Sequence, residues 1–253
     1  MKENNYNLGL VSVSFRQHSP REILEAVRAA GLSCIEWGSD VHAPCNDIKR
    51  LREIAALQNE YGIFCSSYGT YFRLGETPTD ELEAYIKAAR LLGTNVLRLW
   101  CAGKSGENMT DGERGCLLNA CKKASEIAEN SNAILCMECH KGTFTESPDD
   151  AVWLMEAINS PHFRMYWQPF QWQSADENTN NAAKIANYAE HIHVFNWREE
   201  EKLPLAEGFA DWQSYLKQFS KPRTLLLEFM PDNKISTLSR EAKALRLIIG
   251  DLS

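Results

Sequence analysis

Short apolar stretches alternate with longer amphipathic stretches along the whole chain. Between the apolar stretches, hydrophobic residues recur at the three- and four-residue spacing of helices. The apolar stretches themselves are rich in the β-branched, aromatic and leucine residues that strands favour. The pattern predicts eight strands in succession, at Leu8–Ser14, Cys34–Trp37, Ile63–Tyr68, Val96–Trp100, Ala133–His140, Phe163–Gln168, Ile192–Trp197 and Thr224–Met230.

Capping residues mark the boundaries of the predicted helices. Ser19-Pro20-Arg21-Glu22 combines a hydroxyl at the cap, proline at the first helical position and glutamate three residues after the cap, which is a capping box. Ser147-Pro148-Asp149-Asp150 repeats the pattern with aspartate, and Thr79-Asp80-Glu81 predicts carboxylates in a first helical turn. Glycines are expected to end three helices, at Gly31, Gly62 and Gly93.

Eight strands alternating with helices, without a linker rich in Gly, Ser or Pro, predict an α/β fold of the (β/α)8 TIM barrel type. The length of 253 residues is usual for such a barrel, so we expect a single domain over residues 1–253. A doubly wound open sheet is the alternative. It seldom needs eight regular units, and the glycine-rich phosphate loop of dinucleotide-binding sheets is missing after the first strand.

Composition and charge exclude several function classes. The hydrophobic fraction of 44% provides a large core, whereas the net charge of −7 disfavours nucleic acid as the main partner. No apolar stretch approaches the length of a membrane span, and the beginning of the chain lacks the features of a signal peptide. We therefore expect a cytoplasmic protein without membrane contact.

The 8 cysteines are expected to be reduced thiols rather than a disulfide framework. Cys136 and Cys139 have the spacing of a redox motif, but they lie in a predicted strand, where their side chains point to opposite faces. Cys116 and Cys121 are five residues apart on a predicted helix and do not share a face for a metal. The cysteines therefore predict no redox or metal chemistry.

Three predicted strands contain ionisable residues within otherwise apolar sequence, namely Glu138, His193 and Glu228. Taken singly, a glutamate at a strand end is more often a salt-bridge partner or the start of a solvated loop. Taken together, three lone-pair donors at the carboxyl ends of barrel strands are what a divalent cation at the barrel mouth requires. Their joint occurrence favours a metal site.

With these strand ends and Glu36-Trp37-Gly38 at the second strand, the whole chain resembles the sugar phosphate isomerase/epimerase superfamily, the xylose isomerase-like TIM barrels. The resemblance implies that Glu138, His193 and Glu228 bind a catalytic divalent ion together with an aspartate from the sixth strand. It also implies that Glu138 and Glu228 form the catalytic pair that transfers protons.

The sixth strand departs from the family pattern of aspartate followed three residues later by histidine, because the chain has Gln168 and Gln171 there. The amide oxygen of Gln168 can still coordinate a metal, but as a neutral ligand. Two hypotheses follow: a site adapted to another substrate, or a site that has lost its metal. The retention of the other three ligands favours the first.

Further residues near strand ends are expected to bind substrate. The residues in question are Arg198, His140, Gln171, Trp37 and Arg98, with His42 as a weaker candidate. Three of them also have a structural interpretation: Arg198 as an exposed loop arginine next to glutamates, His140 as a hydrogen-bonded structural residue, and Trp37, like Trp100, Trp167 and Trp197, as part of the core rather than a stacking platform for a sugar ring.

The resemblance predicts a metal-dependent isomerase or epimerase that acts on a sugar or sugar phosphate by moving a proton next to a carbonyl, with Mn, Co, Zn or Mg as the metal. A lyase or dehydratase of a cyclic polyol on the same scaffold is one alternative. A sugar-binding barrel without catalysis is another, and an endonuclease-like phosphodiesterase is disfavoured by the acidic balance. A homo-oligomer remains open.

Overall fold

The predicted strands form one closed parallel barrel in the computed structural model of the protein, which describes residues 6–250 and residue 252. The barrel contains β1 (Asn7–Val11), β2 (Cys34–Gly38), β3 (Phe64–Leu74), β4 (Val96–Cys101), β5 (Ile134–Glu138), β6 (Phe163–Trp167), β7 (Ala189–Val194) and β10 (Thr224–Leu227). Because β1 pairs with both β2 and β10, the ring has no open edge. The barrel prediction is confirmed, and the doubly wound sheet was wrong.

Eight α-helices surround the barrel in the described residues, one after each barrel strand. They are α1 (Pro20–Ala29), α2 (Ile48–Tyr61), α3 (Leu82–Leu92), α4 (Asp111–Asn130), α5 (Pro148–Ile158), α6 (Ala175–Ile185), α7 (Phe209–Leu216) and α8 (Leu238–Gly250). None of these helices is both long and apolar enough to cross a membrane. The main hydrophobic core lies between the helices and the outer face of the barrel.

Several strands end earlier than the sequence pattern predicted. β1 stops at Val11, because Ser12–Phe15 turns into a short 3-10 helix. The seventh predicted strand is divided: β7 ends at Val194, and a separate strand, β8 (Asn196–Arg198), forms an antiparallel hairpin with β9 (Glu201–Leu203). The hairpin leaves the barrel and stands at its mouth. Hydrophobic alternation could not reveal this break, since Phe195 lies at the break and Trp197 in β8 continues the apolar pattern beyond it.

The capping chemistry is largely confirmed. The Ser19 hydroxyl accepts from the backbone of Glu22 while the Glu22 side chain accepts from the backbone of Ser19, which closes the predicted capping box. Ser147 likewise caps α5. The prediction for Thr79–Glu81 was wrong in detail, because these residues form a 3-10 turn and α3 begins at Leu82.

A second, smaller apolar cluster fills the lower part of the barrel interior. It includes Cys34, Val96, Cys136 and Leu226, one residue from each of four strands. Gly9 of β1 completes this layer, because a Cβ at this position would lie 2.5 Å from the Cys34 sulfur and 2.8 Å from a Leu226 methyl group. The cysteines therefore serve as small apolar residues here, and all eight are free thiols.

Candidate active site

Five ionisable side chains gather at the carboxyl ends of the barrel strands. They are Glu36 in β2, Arg98 in β4, Glu138 in β5, His193 in β7 and Glu228, which follows β10. No more than 7% of any of these side chains is exposed, and those of Glu36 and His193 are fully buried. Charged groups at this depth require partners, so their mutual geometry determines what the site can do.

Arg98 connects two of the carboxylates. Its Nη1 donates to Oε2 of Glu138 at 2.7 Å, and its Nε donates to Oε1 of Glu36 at 3.2 Å. Trp100, two residues further along β4, donates its indole N–H to the same Oε2 of Glu138 at 2.5 Å. Two donors therefore occupy one oxygen of Glu138, and the other oxygen, Oε1, stays available. Gly69 makes room for the pair, since a Cβ there would lie 2.5 Å from Oε1 of Glu36.

Glu36 is the most enclosed of the acids. Its Oε2 accepts hydrogen bonds from the Ser67 hydroxyl at 2.9 Å and from the Tyr166 hydroxyl at 2.7 Å. Burial raises the pKa of this carboxyl, but His193, Arg98 and Tyr166 outweigh burial and lower the pKa to about 2. Glu36 is therefore a permanent anion beneath the site.

His193 stands between Glu36 and the remaining donors. Its Nε2 lies 3.6 Å from Oε1 of Glu36 and has no hydrogen-bond partner among the described residues. Its Nδ1 lies 3.2 Å from Oε1 of Gln168, and 3.4 Å from both Oε1 of Glu138 and Oε2 of Glu228. With a carboxylate on the Nε2 side, the neutral ring favours a proton on Nε2 and a lone pair on Nδ1.

The two glutamates at the mouth differ in their electrostatic surroundings. Burial raises the pKa of Glu138, but Arg98 and His193 outweigh it and hold the pKa well below its usual range. Burial raises the pKa of Glu228 to about 7, only partly opposed by His193. For His193, burial lowers the pKa, but the surrounding glutamates raise it to about 10. Without a metal, protons thus help to balance this cluster of acids.

A divalent metal ion fits the donors that face Nδ1 of His193. Atoms that bind one ion at about 2.1 Å stand roughly 3.0 to 3.4 Å from one another. The 3.2 to 3.4 Å distances from Nδ1 to oxygens of Gln168, Glu138 and Glu228 lie in this range. Among the described residues, no group of three or more His, Cys, Asp and Glu side chains has the geometry to hold a metal ion. The fit therefore requires the neutral oxygen of Gln168 as a fourth donor.

The charges of the cluster also suit a divalent ion. Three carboxylates, Glu36, Glu138 and Glu228, face one guanidinium, that of Arg98, so the cluster has a net charge of −2 when His193 is neutral. Uncompensated charge of this size is costly inside a protein. One divalent cation would bring the buried charge to zero.

A cavity of about 480 Å³ opens from this cluster to solvent. Arg98, Glu138, Gln168 and Glu228 line its floor. Its walls are largely aromatic and include Tyr71, Trp100, Phe170, Trp172, Trp197 and Phe229. A floor of convergent polar groups beneath apolar walls is typical of a pocket for a small ligand.

Only some of the residues predicted to bind substrate line this cavity. His140 and Gln171 line the cavity, and Arg98 lines it while bonded to the two acids. Arg198 pairs with Asp211 at 3.0 Å and lines a neighbouring cavity of about 440 Å³, to which Glu138, Gln168, His193 and Glu228 do not contribute.

Trp37 does not reach the cavity. Side chains alternate along a strand, so Trp37 points outward from the barrel when Glu36 points inward. Its indole N–H donates to Gln58 of α2 at 2.7 Å, and the side chain is fully buried. His42 is likewise buried, with its ring nitrogens facing the Ser12 hydroxyl and the His18 carbonyl at 3.1 Å each. Both residues have a structural role in this arrangement.

Sequence analysis missed several residues of the site. Glu36 carries the same signal as Glu138, an acid in an apolar strand, but was not assigned a role. Arg98 was predicted to bind substrate and Trp100 was weighed as a core or stacking residue, but their hydrogen bonds to Glu138 were not foreseen. Arg16, Lys141 and Lys202 approach the mouth from loops and the hairpin, where spacing gives no signal.

Comparison with known proteins gives a consistent picture of the fold. Residues 24–247 match the family model described as xylose isomerase-like TIM barrel. No curated protein sequence matches the chain. Similar solved structures include a probable 3-DHS dehydratase, AsbF, involved in petrobactin synthesis in Bacillus anthracis, with a TM-score of 0.80 and 16% identity over 94% of this chain and 98% of that chain.

Two further structures show the same architecture. A xylose isomerase-like TIM barrel protein from Mycobacterium smegmatis in complex with magnesium has a TM-score of 0.73 and 13% identity over 100% of both chains. A D-allulose 3-epimerase from Methylomonas sp. has a TM-score of 0.70 and 14% identity over 97% of both chains. These likenesses concern the fold, and the family match extends over most of the sequence. The chain belongs to the xylose isomerase-like TIM barrel family.

Proposed function

We propose that the protein is a metal-dependent isomerase or epimerase of a sugar or sugar phosphate, which moves a proton next to a carbonyl. The observation that carries this proposal is the convergence of Gln168, Glu138 and Glu228 oxygens on Nδ1 of His193 at the floor of the cavity. The donor set of two carboxylates, one imidazole and one amide suits Mn, Co, Zn or Mg. When bound, the ion would stabilise negative charge that develops on neighbouring substrate oxygens.

Neighbouring side chains orient the proposed metal ligands. Arg98 and Trp100 hold Oε2 of Glu138, which fixes the carboxylate and directs Oε1 towards the donors. Glu36 lies behind His193 and orients its ring. Gln168 supplies a neutral ligand, which leaves the bound ion a stronger Lewis acid than a third carboxylate would.

Glu228 and Glu138 are proposed to transfer the proton. The Glu228 carboxyl accepts no hydrogen bond from the described residues, whereas two donors hold Glu138. Glu228 is thus the more mobile of the two. Glu138, which its neighbours keep ionised, takes a proton from the substrate carbon, and Glu228, whose pKa is raised to about 7, enters protonated and returns its own proton from the opposite side. Return to the same carbon gives epimerisation, and return to the neighbouring carbon gives isomerisation.

The aromatic walls of the cavity favour a second candidate, a dehydratase of a cyclic polyol. Trp100 contacts Tyr71 edge to face at 5.2 Å, and Trp197 contacts Phe229 at 5.1 Å, so flat surfaces stand on two sides of the floor. A ring-shaped substrate would pack well between such surfaces. The similarity to a probable 3-DHS dehydratase and to a D-allulose 3-epimerase is compatible with either reaction. Both reactions begin with removal of a proton by the same glutamates.

Proton exchange in deuterated water tests the proposal. The purified protein, loaded in turn with Mn, Co, Zn or Mg, is incubated with ketoses, their phosphates and cyclic polyol ketones, and deuterium incorporation is followed by NMR. We expect exchange with at least one compound, metal bound near one ion per chain, and loss of both in His193→Ala.

The outcomes separate the candidate functions. Exchange without loss of water indicates an isomerase or epimerase, and exchange accompanied by an unsaturated product indicates a dehydratase. Absence of bound metal together with tight binding of a sugar would support a binding protein and would refute the proposed enzyme.

A further inference from the structure

A second cavity of about 440 Å³, the side cavity, adjoins the main cavity above the proposed metal site. Residues of β8, of the first turn of α6 and of α7 line it. Six residues line both cavities, namely Pro169, Phe170, Gln171, Trp172, Phe195 and Trp197. A ligand in the main cavity therefore contacts the same boundary as a ligand in the side cavity.

The boundary between the two cavities reaches the protein surface at Trp172. This side chain is 50% exposed, and Nζ of Lys141 lies 3.7 Å from its ring centre. The boundary at this point is a surface side chain and not a continuous part of the core. A ligand longer than one sugar ring can therefore extend from the main cavity into the side cavity across this indole.

The side cavity contains polar groups that are free to bind hydroxyl groups. Nδ2 of Asn196 donates to the carbonyl of Pro204 at 3.0 Å, but its Oδ1 accepts no hydrogen bond from the described residues. The side-chain amide of Gln171 makes no hydrogen bond with the described residues either. Gly208 keeps the space beside Asn196 open, since a Cβ there would lie 3.3 Å from Oδ1.

Tyr215 provides a fixed hydroxyl group at the floor of the side cavity. Its ring is buried and packs against Trp167 and Trp212, each with a centroid distance of 5.5 Å. The hydroxyl forms a hydrogen bond with the side-chain amide of Asn178, and burial raises the pKa of Tyr215 to about 12. The hydroxyl therefore stays protonated and can donate to a ligand oxygen.

The charges of the side cavity favour an uncharged ligand. Arg198 is paired with Asp211 at 3.0 Å, and the exposed Glu199 adds a negative charge. The side cavity thus has no excess of positive charge that would bind an anion. Amide and hydroxyl groups beside the rings of Trp172 and Trp197 suit a neutral ring with several hydroxyl groups.

We propose that the substrate has two rings, as in a disaccharide or another glycoside. The reacting ring binds above the metal site, and the second, uncharged ring binds in the side cavity with Tyr215 and Asn196 as hydrogen-bond partners. This proposal rests on the proposed function, because it assumes that the main cavity binds the reacting sugar. It adds a site that selects the substrate without taking part in proton transfer.

Equilibrium binding tests the proposal on the full chain loaded with Mn²⁺. Isothermal titration compares D-fructose with turanose, lactulose and isomaltulose, in which a second hexose is attached to different hydroxyl groups of fructose. We expect at least one disaccharide to bind about tenfold or more tightly than fructose, since two ordinary hydrogen bonds amount to at least that factor. Equal affinity for all four sugars, or no measurable binding of any disaccharide, overturns the proposal.

The variant Tyr215→Phe keeps the packed ring and removes only the hydroxyl group. We expect it to weaken binding of the preferred disaccharide about fivefold and to leave the affinity for fructose unchanged. The matched control is Tyr61→Phe at the end of α2, which removes a hydroxyl that donates to Glu25 at 2.9 Å, and it should change neither affinity. A disaccharide preference that Tyr215→Phe leaves intact overturns the proposal.

Proton exchange and Mn²⁺ titration of the wild-type chain keep the two proposals apart. Exchange with a monosaccharide, without a preference for disaccharides, contradicts only the second ring. A disaccharide preference that depends on Tyr215, without proton exchange and without bound Mn²⁺, contradicts only the proposed function.

Discussion

Two layers of the barrel interior differ sharply although the same strands build them. The lower layer contains Cys34, Val96, Cys136 and Leu226. The upper layer contains the residues two positions further along each chain segment, namely Glu36, Arg98, Glu138 and Glu228. Because a period of two keeps side chains on one face, every one of these pairs changes from small or apolar to charged within a single step.

The two layers are expected to contribute differently to the stability of the fold and to the chemistry of the site. The lower layer is apolar, well packed and sealed by Gly9, so it contributes to folding through burial alone. The upper layer places four charges out of water, where replacement by apolar residues would often stabilise the fold. This cost agrees with the proposed role of the upper layer in binding and catalysis, and variants in the two layers should therefore fail in different ways.

The largest expected effect is on turnover, in Glu228→Gln. The amide keeps the shape of the side chain and can still coordinate a metal, but it can neither give up nor take up a proton. Formation of the epimerised or isomerised product should fall by about 10²- to 10⁴-fold, the usual contribution of general acid-base catalysis. The assay is run at saturating metal, and metal content is measured in parallel, so that loss of the ion is distinguished from loss of proton transfer. Product formation at the wild-type rate would contradict the role of Glu228.

The next effect is on stability, in Arg98→Met. Removing the guanidinium leaves Glu36 and Glu138 buried without their shared cation, which typically destabilises a protein by about 3–5 kcal/mol. Urea unfolding followed by circular dichroism measures the loss. The double variant Arg98→Met/Glu36→Gln removes one of the two unpaired carboxylates and should recover part of the lost stability. An unchanged urea midpoint for Arg98→Met would show that Glu36 and Glu138 do not need the guanidinium group for the stability of the fold.

A variant of the lower layer, Leu226→Ala, is expected to lose comparable stability but to keep its metal binding. Leu226→Ala leaves a cavity in the sealed interior and should cost about 2–5 kcal/mol. Metal binding, followed by isothermal titration below the unfolding temperature, should remain close to wild type, since the altered residue lies below the donors. Loss of metal in this variant would show that the two layers are not independent.

The smallest of these effects concerns the affinity for metal, in Glu36→Gln. A neutral amide behind His193 orients its ring less firmly, and loss of such a supporting partner weakens metal binding by about 10- to 100-fold. Titration with Mn²⁺ measures the change. Glu241→Gln is the matched control, because Glu241 is a buried glutamate in α8 that accepts from the backbone of Leu205 outside the barrel interior. Equal affinity in both variants would remove Glu36 from the site.

The barrel itself was predictable from the sequence, because its signals are local. Each strand is a short apolar run, and caps such as Ser19 and Ser147 act within one helical turn. The break between β7 and β8 was not predictable, since Phe195 and Trp197 continue the aromatic pattern across it. Hydrophobic alternation records which face is buried but not where a strand leaves its neighbours.

The site was only partly predictable. Glu138, His193 and Glu228 stand out because ionisable residues are rare in buried strands, and the structure brings them together around Nδ1 of His193. The link from Arg98 to Glu36 spans 62 positions in the sequence, so no spacing rule reveals it. Trp37 could have been excluded from the cavity by alternation alone, once Glu36 was placed inside the barrel.

Gly69 limits which substitutions the site can accept during evolution. The backbone of β3 passes so close to the ion pair that no side chain fits beside Glu36 and Arg98. A change at any one of these three positions, on three different strands, leaves the other two unsuited to each other. Related sequences should therefore exchange Glu36, Gly69 and Arg98 together or keep all three, and this joint inheritance would trace the lineage of the site independently of its metal ligands.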